Sequence, residues 1–361
     1  MTSDEEGDAF QFTSDWRGFA PIAFSNLLLC FVTLGLYLFW ARARERRFLW
    51  SNTRFIDDRL EWTGTGLELM IGYVMAIILL GVPLAVLQFG MQALALRGEL
   101  GWVATIGSSL YLLILYLVGV AIFRALRYRL SRTFWHGIRG GSDAQGFAFG
   151  VGYLWRTLVG SFAAGLLIPW SMTSLWNARW NQMSFGPLRF EADARAGPIM
   201  GRFLLFYLTP ILALIAIGVL FFFTASSDIG RATLSPDRIQ LYAAVVAIAA
   251  YLLFFVVLGI IALVFYAAYF REAVGHLSLG ELDFAFTASS WDWFKLVVGN
   301  LLLITVTLGI GYIFIGYRNW TFFIRHIRAY GSIHLDDLTQ STTREPGQGE
   351  GLLDAFDIGA F

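Results

Sequence analysis

The sequence predicts an all-α polytopic membrane protein with internal pseudo-repeats of about 137 residues, broken helix hairpins and short cytoplasmic β-strands. The first observation behind this prediction is composition. Of 361 residues, 57% are apolar and only 14% are charged, and the mean hydropathy is +0.63. Soluble domains carry about 25% charged residues, so a soluble core has no room for this much apolar surface. The 26 basic and 26 acidic residues cancel, and net charge gives no reason to expect a nucleic-acid partner.

The second observation is an internal repeat, in which residues 10–36 align without gaps to residues 284–310. Eleven of the 27 aligned positions are identical, including the motifs Asn-Leu-Leu-Leu and Val-Thr-Leu-Gly. The offset is 274 residues, and a degenerate third copy begins at half that offset, at Phe147. We therefore divide a single membrane domain, 1–361, into repeats 9–145, 146–282 and a partial 283–335, followed by a polar C-terminal tail, 336–361.

Each repeat is expected to open with a short strand, because alternation of apolar and polar residues bounded by turn residues is typical of strands. These Phe-x-Phe openings lie at 10–12, 147–149 and 284–286. Two further segments alternate in the same way and are also predicted strands: "DRLEWTGT" at 58–65 and "GPLRFEAD" at 186–193.

Four long apolar runs follow these segments in two pairs. Each run exceeds the roughly 20 residues that a helix needs to cross a bilayer. The pairs are 67–90 with 103–123, and 199–223 with 240–268.

The apolar segment 17–54 contains a break that predicts two helices rather than one. Two half-segments of about 16 residues each reach about 24 Å, which is too short for a hydrocarbon core of about 30 Å. Gly35 and Gly309 are expected to end a helix at equivalent places, and Pro169 interrupts the second copy nearby. A helix hairpin is therefore favoured, and a single kinked crossing helix is the alternative.

The distribution of arginine predicts the orientation of the chain. Few basic residues lie in the proposed outer loops, 91–102 and 224–238, whereas most lie at the ends of the apolar segments that bear strands. The positive-inside rule places those ends in the cytoplasm. Both termini and the strands are then expected on the cytoplasmic side.

Candidate contacts to anionic lipid headgroups come from three arginine-rich stretches that follow apolar segments. Arginine binds phosphate through its planar fork, and tryptophan is typical of the membrane interface. Anchoring to lipid and a defined phosphate-binding pocket both account for the pattern. The candidate residues are Trp40, Arg42, Arg44, Arg46, Arg47, Arg127, Arg129, Arg132, Arg179 and Trp180.

Asn26 and Asn300 occupy equivalent positions inside apolar runs. A buried amide in a membrane is most often an interhelical hydrogen-bonding group, and a substrate contact is the alternative.

The sequence contains no motif that predicts catalysis. The four histidines show no metal-ligand spacing, and the single cysteine, Cys30, excludes a disulfide framework. Phosphate-binding glycine loops, nucleophile elbows and clustered intramembrane acids are also missing from the sequence. We therefore expect no enzyme activity, no cofactor and no metal.

The opening repeat resembles the YjgN-type family of bacterial inner-membrane proteins. The resemblance is carried by "NLLLCFVTLGLYLFWARARERRF" at 26–48, with "LEWTGT" downstream and "GEGLLDAFDIGAF" near the end. Phe39 departs from the proline that the family has there. The matching positions are Asn26, Leu29, Thr33, Leu34, Gly35, Leu36, Tyr37, Trp40, Ala41 and Arg44. The resemblance implies an inner-membrane location and a repeat architecture, but no activity.

Transport, channel activity or lipid handling is the function expected first, because repeated units with broken helices often build such sites. The alternative is a non-catalytic scaffold that recruits a cytoplasmic partner. Membrane lipids with anionic headgroups are the expected partners. A second copy of the chain and a cytoplasmic protein are the alternative partners.

Overall fold

A computed structural model describes residues 9–226, 236–333 and 338–345. Most of the described chain is helical. A π-helical turn at Ile77–Gly81 joins the third helix to the fourth, and a 3-10 turn at Ile310–Phe314 precedes the last helix. The helices are α1 (Trp16–Val32), α2 (Leu38–Ser51), α3 (Gly66–Ala76), α4 (Val82–Leu96), α5 (Leu100–Arg132), α6 (Phe147–Gly165), α7 (Ile168–Trp180), α8 (Gly197–Phe203), α9 (Leu205–Ser226), α10 (Pro236–Gly275), α11 (Ser290–Val306) and α12 (Ile315–His326).

The strands are short but numerous, and they pair antiparallel in the order of the chain. The first three form one sheet and the other eight form a second, curled sheet, with only Leu60 between the two. The strands are β1 (Phe10–Phe12), β2 (Thr53–Phe55), β3 (Asp58–Arg59), β4 (Glu61–Trp62), β5 (Thr133–Trp135), β6 (Ile138–Gly141), β7 (Ser184–Phe185), β8 (Leu188–Ala192), β9 (Leu277–Leu279), β10 (Leu282–Phe286) and β11 (Ile327–Tyr330). The prediction of a mostly helical chain is confirmed, and strands lie in the predicted segments 10–12, 58–65, 186–193 and 284–286. The label all-α is wrong, because the strands form an extended layer of their own.

Helical segments and tight turns alternate as connections between neighbouring strands. Tight turns join β2 to β3, β5 to β6, β7 to β8, and β9 to β10. Only Leu60 separates β3 from β4, and helical segments make the other connections, for example α1 and α2 between β1 and β2. Because paired strands are antiparallel, all the helical connections lie at one end of the strands and all the tight turns lie at the opposite end.

The two ends of the strand series come together. The rings of Phe10 on β1 and Phe284 on β10 lie 6.5 Å apart, and the Tyr317 hydroxyl on α12 donates to the backbone oxygen of Ser14, 3.4 Å away. The chain therefore curls into a strand layer from which the helices extend in one direction.

Residues 16–51 form the hairpin that the sequence predicts. The N–H of Thr13 donates to the Asn52 oxygen at 2.9 Å, so the chain enters and leaves the hairpin at one place in the strand layer. The same bond joins Thr287 to His326 at 2.8 Å in the hairpin of α11 and α12. At 17 residues, α1 is about 25 Å long and falls short of the roughly 30 Å hydrocarbon core.

The Thr-Leu-Gly motif forms the turn of the first hairpin. The Thr33 hydroxyl donates to the Leu29 oxygen at 2.7 Å and accepts from the Tyr37 N–H at 3.0 Å, which joins both helices through one side chain. Leu34 and Gly35 both adopt positive φ, 51° and 89°. The Gly35 N–H then reaches back to the Cys30 oxygen at 2.7 Å, which is the bonding pattern of a Schellman helix end.

The same turn recurs in the last hairpin. Thr307 bonds to Leu303 and Gly311, and Leu308 and Gly309 repeat the two positive φ values, 51° and 95°. Both glycines identified from the sequence are therefore helix-end residues.

Two predictions for the second copy are wrong. Residues 147–149, predicted as a strand, form the first turn of α6, and the strand that precedes this hairpin is β6. The break lies at Ala164 and Gly165, both with positive φ, rather than at Pro169. Pro169 instead occupies the first turn of α7, where the missing N–H and fixed φ of proline are well tolerated.

The four long apolar runs are helical where the structure describes them. Within the described residues, three helical stretches are long and apolar enough to cross a membrane: Leu100–Arg132, Gly197–Ala216 and Ala247–Gly275. Most of their surface is not covered by the rest of the chain. Lipid is the natural environment for such apolar, uncovered surface.

Candidate functional site

A groove of about 340 Å³ lies between α2 and the start of α3, on the side of the strand layer from which the helices extend. It contains three of the residues predicted from the sequence to contact headgroups, and five others. The lining residues are Tyr37, Trp40, Ala43, Arg44, Arg47, Thr65, Gly66 and Leu67.

The close approach of α3 to α2 depends on a glycine. A Cβ atom built on Gly66 would lie 2.7 Å from the Cα of Trp40 and 2.8 Å from its backbone nitrogen. Such distances are well below van der Waals contact, so only glycine fits here without moving one of the backbones. Thr65 caps the helix, because its hydroxyl accepts from the Glu68 N–H at 3.3 Å.

The polar wall of the groove is positively charged. Arg44 and Arg47 lie one turn apart on the exposed side of α2, and Arg44 donates one hydrogen bond to the Ser25 hydroxyl at 2.9 Å. In the described part of the chain, Arg47 makes no hydrogen bond through its side chain. The N-terminus of α3 adds the positive end of a helix dipole, with backbone N–H groups that have no partner inside the helix. Two guanidinium groups beside a helix N-terminus suit a phosphate.

The rim of the groove is apolar and aromatic. Leu67 is 51% exposed, and the ring of Trp40, 37% exposed, stacks beside that of Tyr37 with centroids 6.3 Å apart. Tryptophan and tyrosine prefer the headgroup level of a bilayer. A molecule with an anionic head and an apolar body therefore matches both sides of this groove.

The remaining arginines identified from the sequence do not line the groove. Arg46 is only 5% exposed, and its guanidinium carbon lies 5.2 Å from the ring centroid of Trp62. Arg42 lies 3.6 Å from the Glu45 carboxylate. Arg44 and Arg47 line the groove, whereas Arg46 is buried and Arg42 pairs with Glu45, so the cluster is divided between different environments.

Arg132 and Arg127 lie on α5 with different contacts. Arg132 donates to the Glu68 carboxylate at 2.9 Å, and the Tyr128 hydroxyl donates to the same carboxylate at 2.9 Å. Arg127 is 2% exposed and donates to the backbone oxygen of Arg344 at 3.1 Å. The first contact ties α3 to α5, and the second ties α5 to the C-terminal segment.

Arg179 and Trp180 belong to the interior at the sheet end of α7. The guanidinium carbon of Arg179 lies 5.5 Å from the Trp176 ring centroid. Burial lowers the pKa of Arg179 to about 10, and the nearby like charge of Arg129 contributes in the same direction. The side chain therefore keeps its charge at neutral pH. Trp180 packs on Phe190, with ring centroids 4.9 Å apart, and does not line the groove.

Both amides predicted within the membrane join the helices of their own hairpins. Asn26 on α1 donates to the Ala41 oxygen on α2 at 3.2 Å. Asn300 on α11 donates to the Asn319 side chain on α12 at 3.0 Å and accepts from Arg318 at 2.6 Å. These contacts match the interhelical role expected of polar groups in membrane helices.

Five groove residues were not predicted from the sequence: Tyr37, Ala43, Thr65, Gly66 and Leu67. The sequence did carry a signal for the helix start, because Thr65 followed three residues later by Glu68 has the pattern of a capping box. Nothing local indicated that this start would pack on Trp40.

Comparisons with known proteins agree with the membrane reading. The family described as "Bacterial protein of unknown function (DUF898)" matches residues 8–355. The chain is also 24% identical over 140 residues to the inner membrane protein YjgN of Salmonella typhimurium. That alignment covers 39% of this chain and 32% of the relative, so it spans about a third of the relative's length.

No solved structure matches the chain. The family match covers nearly the whole chain, and together with the apolar helices it identifies a membrane protein whose resemblance to the YjgN type is confirmed. The chain belongs to the DUF898 family of bacterial proteins of unknown function.

Proposed function

We propose that this chain is a lipid-handling protein of the bacterial inner membrane, which holds the phosphate of an anionic lipid headgroup in the groove between α2 and α3. The observation that carries the proposal is the groove itself, where Arg44, Arg47 and the N-terminus of α3 lie beside the apolar rim of Trp40 and Leu67. Binding without catalysis is sufficient for this role. Transport and channel activity are the alternatives to lipid handling within the function expected first from the sequence.

The phosphate is expected between the two guanidinium groups and the first N–H groups of α3. The acyl chains extend from there along the apolar, exposed surface of the neighbouring hairpin, which includes Leu28, Phe31 and Val32. The short hairpins support this picture, because a helix of 17 residues is about 25 Å long and does not span the hydrocarbon core of roughly 30 Å. A hairpin that enters and leaves the membrane on one side presents its groove to the headgroups of that side.

The strand layer is proposed to face the cytoplasm, with both termini on that side and with three repeated units in the chain. Support comes from the basic residues, which are concentrated where helices meet strands, whereas the tip between α4 and α5 carries only Arg97. In a Cys30→Ala background, we expect Leu96→Cys to react with a membrane-impermeant maleimide on intact spheroplasts. Asp58→Cys, in the β2–β3 turn, is expected to react only after permeabilisation. The reverse pattern would refute the proposed orientation.

Removing the two groove charges is expected to weaken lipid binding. Each basic residue near an anionic surface contributes about 1 kcal/mol, so Arg44→Gln with Arg47→Gln should cost about 2 kcal/mol, or roughly 30-fold in affinity for phosphatidylglycerol. Native mass spectrometry of the purified protein with added phosphatidylglycerol or phosphatidylcholine measures the change and also reports the oligomeric state. Inorganic phosphate as a competitor separates a lipid headgroup from free phosphate as the ligand.

The matched control is Arg54→Gln with Arg59→Gln. These arginines are exposed and lie opposite each other on β2 and β3. Replacing them removes the same net charge as the groove variant, but outside the groove. The control should bind phosphatidylglycerol like the wild type. Equal losses in the two double variants, or no loss in the groove variant, would contradict the proposal.

A scaffold that recruits a cytoplasmic partner is the second candidate function. A wider groove of about 710 Å³ lies on β8 and β9 and is lined by polar residues of both charges, including Arg189, Glu191, Asp193 and Asp283. Its composition suits a polar protein segment rather than a lipid. Unchanged binding of phosphatidylglycerol in the variant Arg44→Gln with Arg47→Gln would favour this second function.

A further inference from the structure

An arginine lies halfway along the hairpin of α6 and α7. Arg156 is nine residues beyond Phe147, the first residue of α6, and nine residues before Gly165, the last. At a rise of about 1.5 Å per residue, it is about 13 Å from each end of the helix. Charged side chains are rare this far along a membrane helix, and those that occur there usually have a specific partner.

The chain itself uses only part of the hydrogen-bonding capacity of Arg156. Its Nε–H donates to the Ser174 hydroxyl on α7 at 2.8 Å, and its guanidinium carbon lies 4.9 Å from the ring centroid of Trp155. Among the described residues, no carboxylate pairs with Arg156, and its four terminal N–H groups have no acceptor. These donors form a planar, charged edge, which suits two parallel hydrogen bonds to a phosphate.

A glycine makes room for this guanidinium group. A Cβ atom built on Gly152, one turn before Arg156, would lie 2.5 Å from the Nη1 atom of the arginine. Such a distance is far below van der Waals contact, so any larger residue at this position would displace the guanidinium group. The place of the charge is therefore determined by the shape of α6.

Arginines in the other two hairpins have equivalent contacts at a similar depth. Arg318 on α12 donates through Nε to the Asn300 side chain on α11 at 2.6 Å. Arg44 on α2 donates to the Ser25 hydroxyl on α1 at 2.9 Å. These two arginines lie seven and eight residues before the last residues of α2 and α12, which is about 10–12 Å. Each hairpin therefore holds one arginine at nearly the same distance from the strand layer.

The surface around Arg156 has the character of a membrane interface. Trp155 is 44% exposed, and its ring lies 5.5 Å from that of Trp170 on α7, measured between centroids. Farther toward the tip, Val159 and Phe162 are exposed and apolar. The 13 Å or so of helix beyond Arg156 fits within one leaflet, since half of a hydrocarbon core is about 15 Å thick. The arginine then lies level with the headgroups, where lipid phosphates are the available anions.

We infer that the hairpin of α6 and α7 binds a second anionic lipid, with the headgroup phosphate on Arg156 and the acyl chains along Val159 and Phe162. Ser174 holds the guanidinium group in place, and Trp155 lies beside the headgroup. This site is separate from the groove between α2 and α3 and shares with it only the class of ligand. Because the two sites lie on different hairpins, the failure of one leaves the other intact.

Photolabelling with phosphatidylglycerol that carries a diazirine at the start of one acyl chain tests the site. The full-length protein is placed in phosphatidylcholine nanodiscs containing this probe, and labelled peptides are identified by mass spectrometry. The wild type should be labelled within 147–180. Arg156→Gln should lower this labelling about fivefold, since one basic residue is lost, and should leave labelling of 37–67 unchanged. Arg44→Gln with Arg47→Gln should show the opposite pattern.

Gly152→Ala keeps every charge but displaces the guanidinium group, and it should lower the labelling of 147–180 at least twofold. Arg54→Gln, at an exposed position on β2, is the single-charge control and should be labelled like the wild type. Size-exclusion profiles identical to the wild type verify that each variant is folded.

Unchanged labelling in Arg156→Gln, or equal losses in Arg156→Gln and Arg54→Gln, would overturn the inference. Wild-type labelling in Gly152→Ala would also overturn it, because the arginine would then act only as a general charge. Excess inorganic phosphate should leave the label in place, whereas displacement of the probe would mean that the site takes free phosphate and not a lipid.

Discussion

Replacing Trp135 with alanine is expected to destabilise the protein by about 3–5 kcal/mol, the usual cost of removing a large aromatic side chain from a core. Trp135 on β5 is 1% exposed and belongs to the core beneath the sheet. Its ring lies 5.0 Å from that of Phe55 and 6.5 Å from that of Phe185, measured between centroids, so it contacts strands from both sides. Its indole N–H donates to the Phe55 oxygen at 3.0 Å.

The last contact gives this residue a particular place in the fold. Phe55 lies on β2, in the three-stranded sheet, whereas Trp135 lies in the eight-stranded sheet. One side chain therefore joins the two sheets by a hydrogen bond and by ring packing. Losing it removes both contacts and leaves a cavity that short strands cannot close.

Thermal unfolding in detergent, followed by size-exclusion chromatography, measures the effect, and a midpoint about 10 °C lower is expected. Trp135→Phe should fall between the wild type and the alanine variant, because it keeps most of the packing but leaves the buried Phe55 oxygen without its donor. Trp102→Ala is the control, since Trp102 is 62% exposed, and its midpoint should be unchanged. A wild-type midpoint for Trp135→Ala would mean that the two sheets are held together elsewhere.

Local patterns predicted the helical part of the fold well. Thr33, Leu34 and Gly35 determine a helix end through their own hydrogen bonds and backbone angles, and this information is contained in three adjacent residues. The apolar runs are equally local, because length and composition suffice to recognise a helix that crosses a membrane. The helix ends predicted at Gly35 and Gly309 and the apolar helices therefore agree with the structure, whereas the break predicted at Pro169 does not.

The strand layer was predicted in part. The alternating segments identified β1, β3, β4, β8 and β10, whereas the remaining strands carry no such pattern, and β5 and β6 are specified by partners far along the chain. The Phe-x-Phe of residues 147–149 matched the strand pattern, yet it opens α6, where Phe149 is buried against Phe123 with ring centroids 5.5 Å apart. The local sequence is compatible with both a strand and a helix, and tertiary packing determines that the helix forms.

The candidate site shows the same division. The sequence placed arginines at the membrane interface, but it did not separate those that face the groove, Arg44 and Arg47, from those that face inward, Arg46 and Arg179. The helical period of 3.6 residues alternates the faces, but which face is covered depends on the neighbouring helix. Gly66, which brings that helix close, is separated from Trp40 by the whole of β2, β3 and β4.

Gly66→Val is expected to abolish most headgroup binding while leaving every charge in place. A Cβ at this position would lie 2.7 Å from the Cα of Trp40, and no side-chain rotation relieves a clash with backbone. The start of α3 must move away from α2, which separates the helix N-terminus from Arg44 and Arg47. Overpacking of this kind typically costs 1–3 kcal/mol in stability, and we expect a loss of about tenfold or more in affinity for phosphatidylglycerol.

This variant separates a formed site from general attraction to an anionic surface. Attraction of that kind depends on the number of arginines and is insensitive to the gap between two helices. A defined phosphate site depends on both, since the N–H groups of α3 and the guanidinium groups must reach the same anion. Gly101→Ala, at a helical position where an added Cβ meets nothing within 4 Å, is the control and should bind normally. If Gly66→Val binds phosphatidylglycerol like the wild type while Arg44→Gln with Arg47→Gln does not, the arginines act only as a charged patch, and the groove is not the binding site.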